Sequence, residues 1–325
     1  MIKHFALSCR GRRFLAPVIK AVISACLLYI SMRNVDFSTV ISRLRQASPM
    51  WILAAIGIMA GATWLSALRW RLVSIQSGIE IDRRRSIRYI LIGMFFNQTL
   101  PSAIGGDAVR IWLVGRYSGK HLISAYSVLI DRAIGMMTLA LLVLACLPWS
   151  LQLIVAPEAR FALLIVIAGS IGASIFFLLL SYLPKTSIDT WFLVSKARAC
   201  SDLANRMLFH GQKKLWLIAV SFAIHILGVG VTWAAAKSIG ANVGFTQLLL
   251  LVPPILLILV LPISMAGWGV RESAMLTAFQ YASLPPSEGV FISLLFGAIL
   301  LIVGVAGGAA WILDSRSNSR KRLNP

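Results

Sequence analysis

A chain of 325 residues that is 58% hydrophobic and 13% charged, with a mean hydropathy of +0.84, has the composition of an integral membrane protein of helical type. The formal net charge of +20 does not point to nucleic acid, because the basic residues sit in short loops beside apolar spans, as cytoplasmic loops do. The short alternating segments of a β-barrel are absent, and Cys9, Cys26, Cys146 and Cys200 are too dispersed for a disulfide or metal framework.

In chain order, the first apolar run covers about Phe14–Met32. It passes into Ser31-Met32-Arg33 without a small-x-small cleavage pattern, so a retained span is expected rather than a signal peptide. Asp36–Ala47 places Phe37, Val40, Ile41 and Leu44 at helical spacing, which predicts a short helix on the membrane surface. A second span, about Met50–Leu68, ends in Arg69-Trp70-Arg71. Trp70 reads as an interfacial anchor. The Q-x-x-R-W signature of processive glycosyltransferases fails there, because position 66 is Ser. The following loop, with Arg83, Arg84, Arg85 and Arg88, is expected to be cytoplasmic.

Tyr89–Leu100 is too short to cross: about 12 residues reach about 18 Å, against about 30 Å of hydrocarbon. The chain breaks at Pro101, turns at Gly105-Gly106 and resumes before Arg116, Lys120 and His121. A re-entrant hairpin over about 87–117 keeps those charges cytoplasmic, and irregular backbone at that depth must be buried in protein or line a wet cavity. Spans at about Leu122–Leu147 and Phe161–Leu183 follow, joined by an outer loop, then a basic linker over 184–214 that predicts a cytoplasmic surface helix. A sixth apolar stretch, Leu215–Ala236, precedes a second expected hairpin over about 247–284, broken at Pro262 and Gly267. Its flank at Ser283–Glu288 has no Lys or Arg, so it would enter from outside. The last span, Gly289–Leu313, leads to Arg316, Arg320, Lys321 and Arg322, which puts the C-terminus inside.

The expected fold is therefore an all-α polytopic membrane protein with about six full transmembrane helices and two re-entrant hairpins, both termini being cytoplasmic. One motif occurs twice: Leu100-Pro101, Gly106 and Val109-Arg110 match Leu261-Pro262, Gly267 and Val270-Arg271 in spacing. With hairpins entering from opposite faces, this predicts an inverted repeat, about 50–147 against about 215–313, within a single membrane domain over 1–325.

Ionisable groups at such depth are costly and commonly functional. A helix starting after Gly106 presents unsatisfied N–H groups and a partial positive charge. With Arg110, or Arg271 in the second copy, each tip offers a cradle for an anion such as a lipid phosphate. The alternatives are that Arg110 snorkels to the cytoplasmic face and that Arg271 forms a structural pair with Glu272. Asp131 and Arg132 are adjacent on a helix and face about 100° apart. Partners from the hairpin suit them better, Asp131 with Arg110 and Arg132 with Asp107, either as a lock or as part of a substrate site. Asn97 and Gln98 either satisfy broken-helix backbone or hold a headgroup, and His225 is expected to make a core hydrogen bond. The histidines His4, His121, His210 and His225 are dispersed and no Walker-type loop occurs, so neither a catalytic set nor a cofactor or metal is expected.

The pattern F-x-N-x-x-L-P-x-x-x-G-G-D-x-x-R at Phe95–Arg110, then D-R-x-x-G at Asp131–Gly135 and L-P-x-x-x-x-G-x-G-x-R-E at Leu261–Glu272, resembles the flippase-like membrane region of lysylphosphatidylglycerol synthases. The resemblance covers nearly the whole chain. It implies a multi-pass protein of the bacterial inner membrane with two re-entrant segments, associated with moving lipids between leaflets. The soluble aminoacyl transferase of the best-known members has no counterpart in these residues, so lipid synthesis is not expected. The reading is a translocase for an anionic or modified phospholipid or a polyprenyl-phosphate-type lipid. Asn97, Arg110, Asp131, Arg132, Arg271 and Glu272 are its candidate headgroup residues, and Pro101, Gly105, Gly106, Asp107, Pro262 and Gly267 form the hairpin turns. Membrane lipids are the expected partners, with a separately encoded lipid-synthesis enzyme as a further candidate. The alternative readings are a membrane-embedded enzyme and a non-catalytic subunit in synthesis of aminoacyl, hopanoid or glycosylated lipids.

Overall fold

The computed structural model describes Val22 and residues 24–30, 46–100, 105–183, 192–260, 264 and 266–323, with side chains as far as Leu313. The helices in chain order are Pro49–Gln76 (α1), Arg83–Thr99 (α2), Gly105–Ser118 (α3), His121–Leu153 (α4), Pro157–Leu179 (α5) and Phe192–Asn205 (α6). A π-turn at Arg206–His210 follows, then Lys214–Ser238 (α7), Phe245–Ile258 (α8), Val270–Tyr281 (α9) and Pro286–Leu323 (α10). Among the described residues there is no strand. Five helices are long and apolar enough to cross a membrane: α1, α4, α5, α7 and the Pro286–Leu313 part of α10. The chain is an all-α polytopic membrane protein, and these five are the second, third, fourth, fifth and last spans expected from sequence.

Of the first expected span only Val22 and residues 24–30 are described, and they are helical. The surface helix expected over 36–47 and the turn residues Pro101 and Pro262 lie outside the described residues. In the basic linker, α6 is the helix expected there.

Local chemistry sets several boundaries. Pro49 and Pro157 open α1 and α5, where a missing N–H costs nothing. α1 stops where Gly78 takes φ +87° and the N–H of Ile79 returns to Ser74 O, a closing turn that favours glycine. α9 starts at Gly269, φ +85°, whose N–H donates to Glu272 Oε2 at 2.7 Å, so the carboxylate caps the first turn.

α1 and α7 form the central pair and run antiparallel. Ser48 N–H donates to Ser238 O at 2.8 Å, Trp51 stacks edge-on against Trp233 at 5.3 Å, and Arg69 Nη1 donates to Ser221 Oγ at 3.1 Å. Around this pair α2 packs on α10 as α8 packs on α4. Likewise α3–α4 matches α9–α10, α2–α3 matches α8–α9, and α1–α4 matches α7–α10. Exchanging the set α1–α4 with the set α7–α10 therefore maps these packed pairs onto one another. The α2–α10 contact is close because Gly307 and Gly308 face Leu91 and Phe95, where a side chain would collide. Small residues at such crossings let membrane helices pack by dispersion.

α2 and α3 fold back on each other. Lys120 Nζ donates to Gly78 O at 3.0 Å and the Arg85 guanidinium lies 4.0 Å over the Tyr117 ring, so the start of α2 and the end of α3 share one end of the molecule. That end also carries Arg83, Arg84, Arg88, Arg116, Lys213 and Lys214. Ser48, Ser238 and the start of α8 lie at the other end.

Candidate functional site

Five ionisable side chains from three helices meet inside the protein. On α3, Asp107 and Arg110 are one turn apart, which places them on one face, and Arg110 Nη1 donates to Asp107 Oδ1 at 3.1 Å. Arg110 Nη2 donates to Asp131 Oδ2 on α4 at 3.3 Å. From α1, Arg69 Nε donates to the other oxygen of Asp131 at 2.9 Å. From α4, Arg132 donates to both oxygens of Asp107, Nε at 2.7 Å and Nη2 at 3.1 Å. The result is an alternating series, Arg69–Asp131–Arg110–Asp107–Arg132, in which every carboxylate oxygen accepts a guanidinium N–H.

Four of the five are buried, whereas the Arg132 side chain is 50% exposed. Three guanidiniums face two carboxylates, leaving one formal positive charge in excess. An uncompensated charge in a poorly solvated setting is costly and favours an anion nearby. Arg110 Nε is buried without a hydrogen-bond partner.

The pairings expected from sequence, Asp131 with Arg110 and Arg132 with Asp107, are both present. Arg69 was not expected, and Trp70 requires a correction. It is fully buried, with the Arg110 guanidinium 4.4 Å over its ring, so it is a core residue and not an interfacial anchor. α1 continues past the apparent span end to Gln76, which carries Arg69 and Trp70 into the interior.

Asn97 serves the backbone: its Oδ1 accepts the N–H of Gly106 at 2.9 Å, one of the orphan donors of α3. Gly106 lies so close to Gly93 O that a Cβ would collide with it, which is why this turn needs glycine. Gln98 Oε1 is buried without a partner. His225 Nε2 lies 2.9 Å from Gly135 O. A carbonyl can only accept, so that nitrogen carries the proton, and His225 makes the expected core hydrogen bond.

A cavity of about 270 Å³ borders the ionic series. Arg69, Arg110, Arg132, Asp107, Asp131 and Asn97 line its polar side, and Met59, Met94, Ile224, Leu256, Phe296 and Leu300 line an apolar one. At 1.5 Å per residue Arg69 is about 10 Å from the α1 end at Gln76, and Asp131 about 15 Å from the α4 start, so the site lies toward the basic end.

Arg271 and Glu272 do not line this cavity. They form a separate buried cluster in which Arg271 Nη2 donates to Glu272 Oε1 at 2.9 Å and Arg271 Nε to Ser293 Oγ at 3.0 Å. Ser293 Oγ in turn donates to Glu272 Oε1 at 2.8 Å. The Trp268 ring lies 4.9 Å from the guanidinium. This cluster has no excess formal charge, and the adjoining void is only about 10 Å³, about the minimum for one water. Leu256 and Phe296 line both spaces. Among the described residues no group of three or more His, Cys, Asp or Glu could hold a metal ion.

Two comparisons bear on this geometry. The family described as lysylphosphatidylglycerol synthase TM region matches residues 18–308, and the chain belongs to that family. It is also similar to a UPF0104 membrane protein of Methanothermobacter thermautotrophicus, 25% identical over 269 residues, which covers 75% of this chain and 79% of that protein.

Proposed function

We propose that this member of the lysylphosphatidylglycerol synthase TM region family moves a lipid between leaflets, taking an anionic or modified phospholipid or a polyprenyl-phosphate-type lipid. The observation that carries the reading is the cavity beside the ionic series: one guanidinium, Arg132, is accessible, one positive charge is in excess, and the opposite wall is apolar. A phosphate would meet Arg132 and Arg110, where charge-assisted hydrogen bonds are strongest, while the acyl chains stay on the apolar side.

The paired packing and the antiparallel α1–α7 contact support an inverted repeat in which α2–α3 enters from the cytoplasmic face and α8–α9 from the opposite one. The basic residues around the ends of α2 and α3 support that orientation. In this reading the ionic series serves the cytoplasmic leaflet, and the closed Arg271–Glu272–Ser293 cluster locks the second hairpin at a mirrored depth. Transport would proceed as Arg132 exchanges Asp107 for the lipid phosphate. A leaflet-resolved assay in proteoliposomes tests this: wild-type protein should equilibrate a labelled anionic lipid, and Arg110→Ala should not. Normal rates in that variant would remove the site.

A further inference from the structure

We infer that a second cavity, about 310 Å³ and walled by α5, α8 and α9, holds the glycerol-ester region of a diacyl lipid in the leaflet at the end opposite the basic one, with Thr277 and Tyr281 donating hydrogen bonds to its ester carbonyls. None of its lining residues borders the ionic series, and the inference does not rest on the translocase reading.

Helix order places this space. α4 starts at the basic end, so the turn after it at Ile154 and the start of α5 lie at the other end, as does the start of α8. Along α9, Ser273, Thr277 and Tyr281 recur every fourth residue, which sets them on one face, and that face lines the cavity. From Ser273 to Tyr281 the stripe rises about 12 Å. Leu163 and Val166 of α5 and Leu251, Pro254 and Ile258 of α8 form the facing walls, and no Lys, Arg, His, Asp or Glu lines the space. An ionic headgroup finds no partner on such walls, so recognition falls to the hydroxyls.

Those hydroxyls are unusual within this chain. Thr63, Thr99, Thr138 and Thr232 each donate to a carbonyl three or four residues back, the common way for a helix to satisfy a threonine. Thr277 does not. It is exposed to the cavity, and neither its hydroxyl nor that of Tyr281 has a hydrogen-bond partner among the described residues, whereas Ser273 already has a contact. A hydroxyl without a partner in apolar surroundings is costly, and lipid hydrocarbon offers it no acceptor. Tyrosine favours the membrane interface, and ester carbonyls are the acceptors a bilayer supplies just below its headgroups. Two donors one turn apart give one to each carbonyl of a diacylglycerol backbone, with the acyl chains running inward along the apolar walls. The volume falls in the range of about 300–1,000 Å³ that ligand sites occupy.

The test compares dioleoylphosphatidylcholine with its diether analogue, which keeps the headgroup and chains but has no carbonyls. Binding to the full chain in detergent is read by native mass spectrometry. The diester should bind about tenfold more tightly, as expected for two modest hydrogen bonds. Thr277→Val combined with Tyr281→Phe removes only hydroxyls and should bring the diester down to the affinity of the diether. Ala162→Phe, at an exposed alanine that lines the cavity, should displace both lipids. Equal binding of the two lipids by the wild-type protein, or a preference that survives the double variant, would overturn the proposal. So would a preference lost in Arg132→Gln, which would put the diester in the ionic cavity, and lipid binding indifferent to Ala162→Phe. A dimer mass that disappears in Ala162→Phe would make this face a contact between copies and overturn it as well.

Discussion

Arg132 reaches from α4 to α3 and grips both carboxylate oxygens of Asp107, at 2.7 and 3.1 Å. The pairing is bidentate, the strongest form available to a guanidinium, yet its two partners differ in burial: the Asp107 side chain is 12% exposed and that of Arg132 50%. Asp107 is therefore structural in a way that Arg132 is not. Asp107→Ala strips both Arg110 and Arg132 of an acceptor and should cost about 3–5 kcal/mol, the usual penalty for orphaning a buried charge. Arg132→Ala removes one of two donors to Asp107 and leaves Arg110 in place, so it should cost less, about 1–3 kcal/mol. Thermal unfolding of the two purified variants checks the contrast.

Arg69 ties three helices together through Asp131 on α4 and Ser221 on α7. A double-mutant cycle of Arg69→Gln and Asp131→Asn should give a coupling of about 1–3 kcal/mol, since residues within one buried network are not additive. Additive losses in unfolding midpoint would show that the contact carries no energy.

Gly106→Ala should disrupt the first hairpin, because the new methyl would collide with Gly93 O and Asn97. A loss of about 3 kcal/mol or more is expected from such overpacking against backbone. Gly57→Ala, with nothing within 4 Å, should leave the melting temperature unchanged or slightly raised.

The hairpin orientation is open to cysteine mapping in cells. Ser118→Cys should be shielded from a membrane-impermeant maleimide added outside, and Ser283→Cys labelled by it. Cys200 should give little background, since burial pushes its thiol up to about 11 and only the thiolate reacts. Labelling at position 118 from outside would contradict the re-entrant arrangement.

Much of this was legible in the letters. The spans follow from apolar length, and the Asp131–Arg110 and Arg132–Asp107 pairs follow from the rule that buried charges find partners. Arg69 was not legible, because a cation beside Trp at the apparent end of an apolar run reads as a boundary. Only the continuation of α1 to Gln76 places it inside. The matched motifs suggested equivalent anion cradles at Arg110 and Arg271, with a structural Arg271–Glu272 pair as the alternative, and the pair is what forms. The second copy carries Glu272, which neutralises Arg271 and caps Gly269, and Ser293 closes the remaining geometry. That difference depends on packing between α9 and α10, which the spacing of one motif does not encode.

The central claim is that the cavity beside Arg132 passes a lipid headgroup. The measurement that tests it most directly is the rate at which a labelled anionic phospholipid crosses leaflets in proteoliposomes holding wild-type or Arg132→Ala protein, with folding checked by melting temperature. The account predicts that the variant stays folded and loses at least about 90% of the rate, the tenfold effect of about 1.4 kcal/mol. A folded variant that moves lipid at the wild-type rate would contradict it.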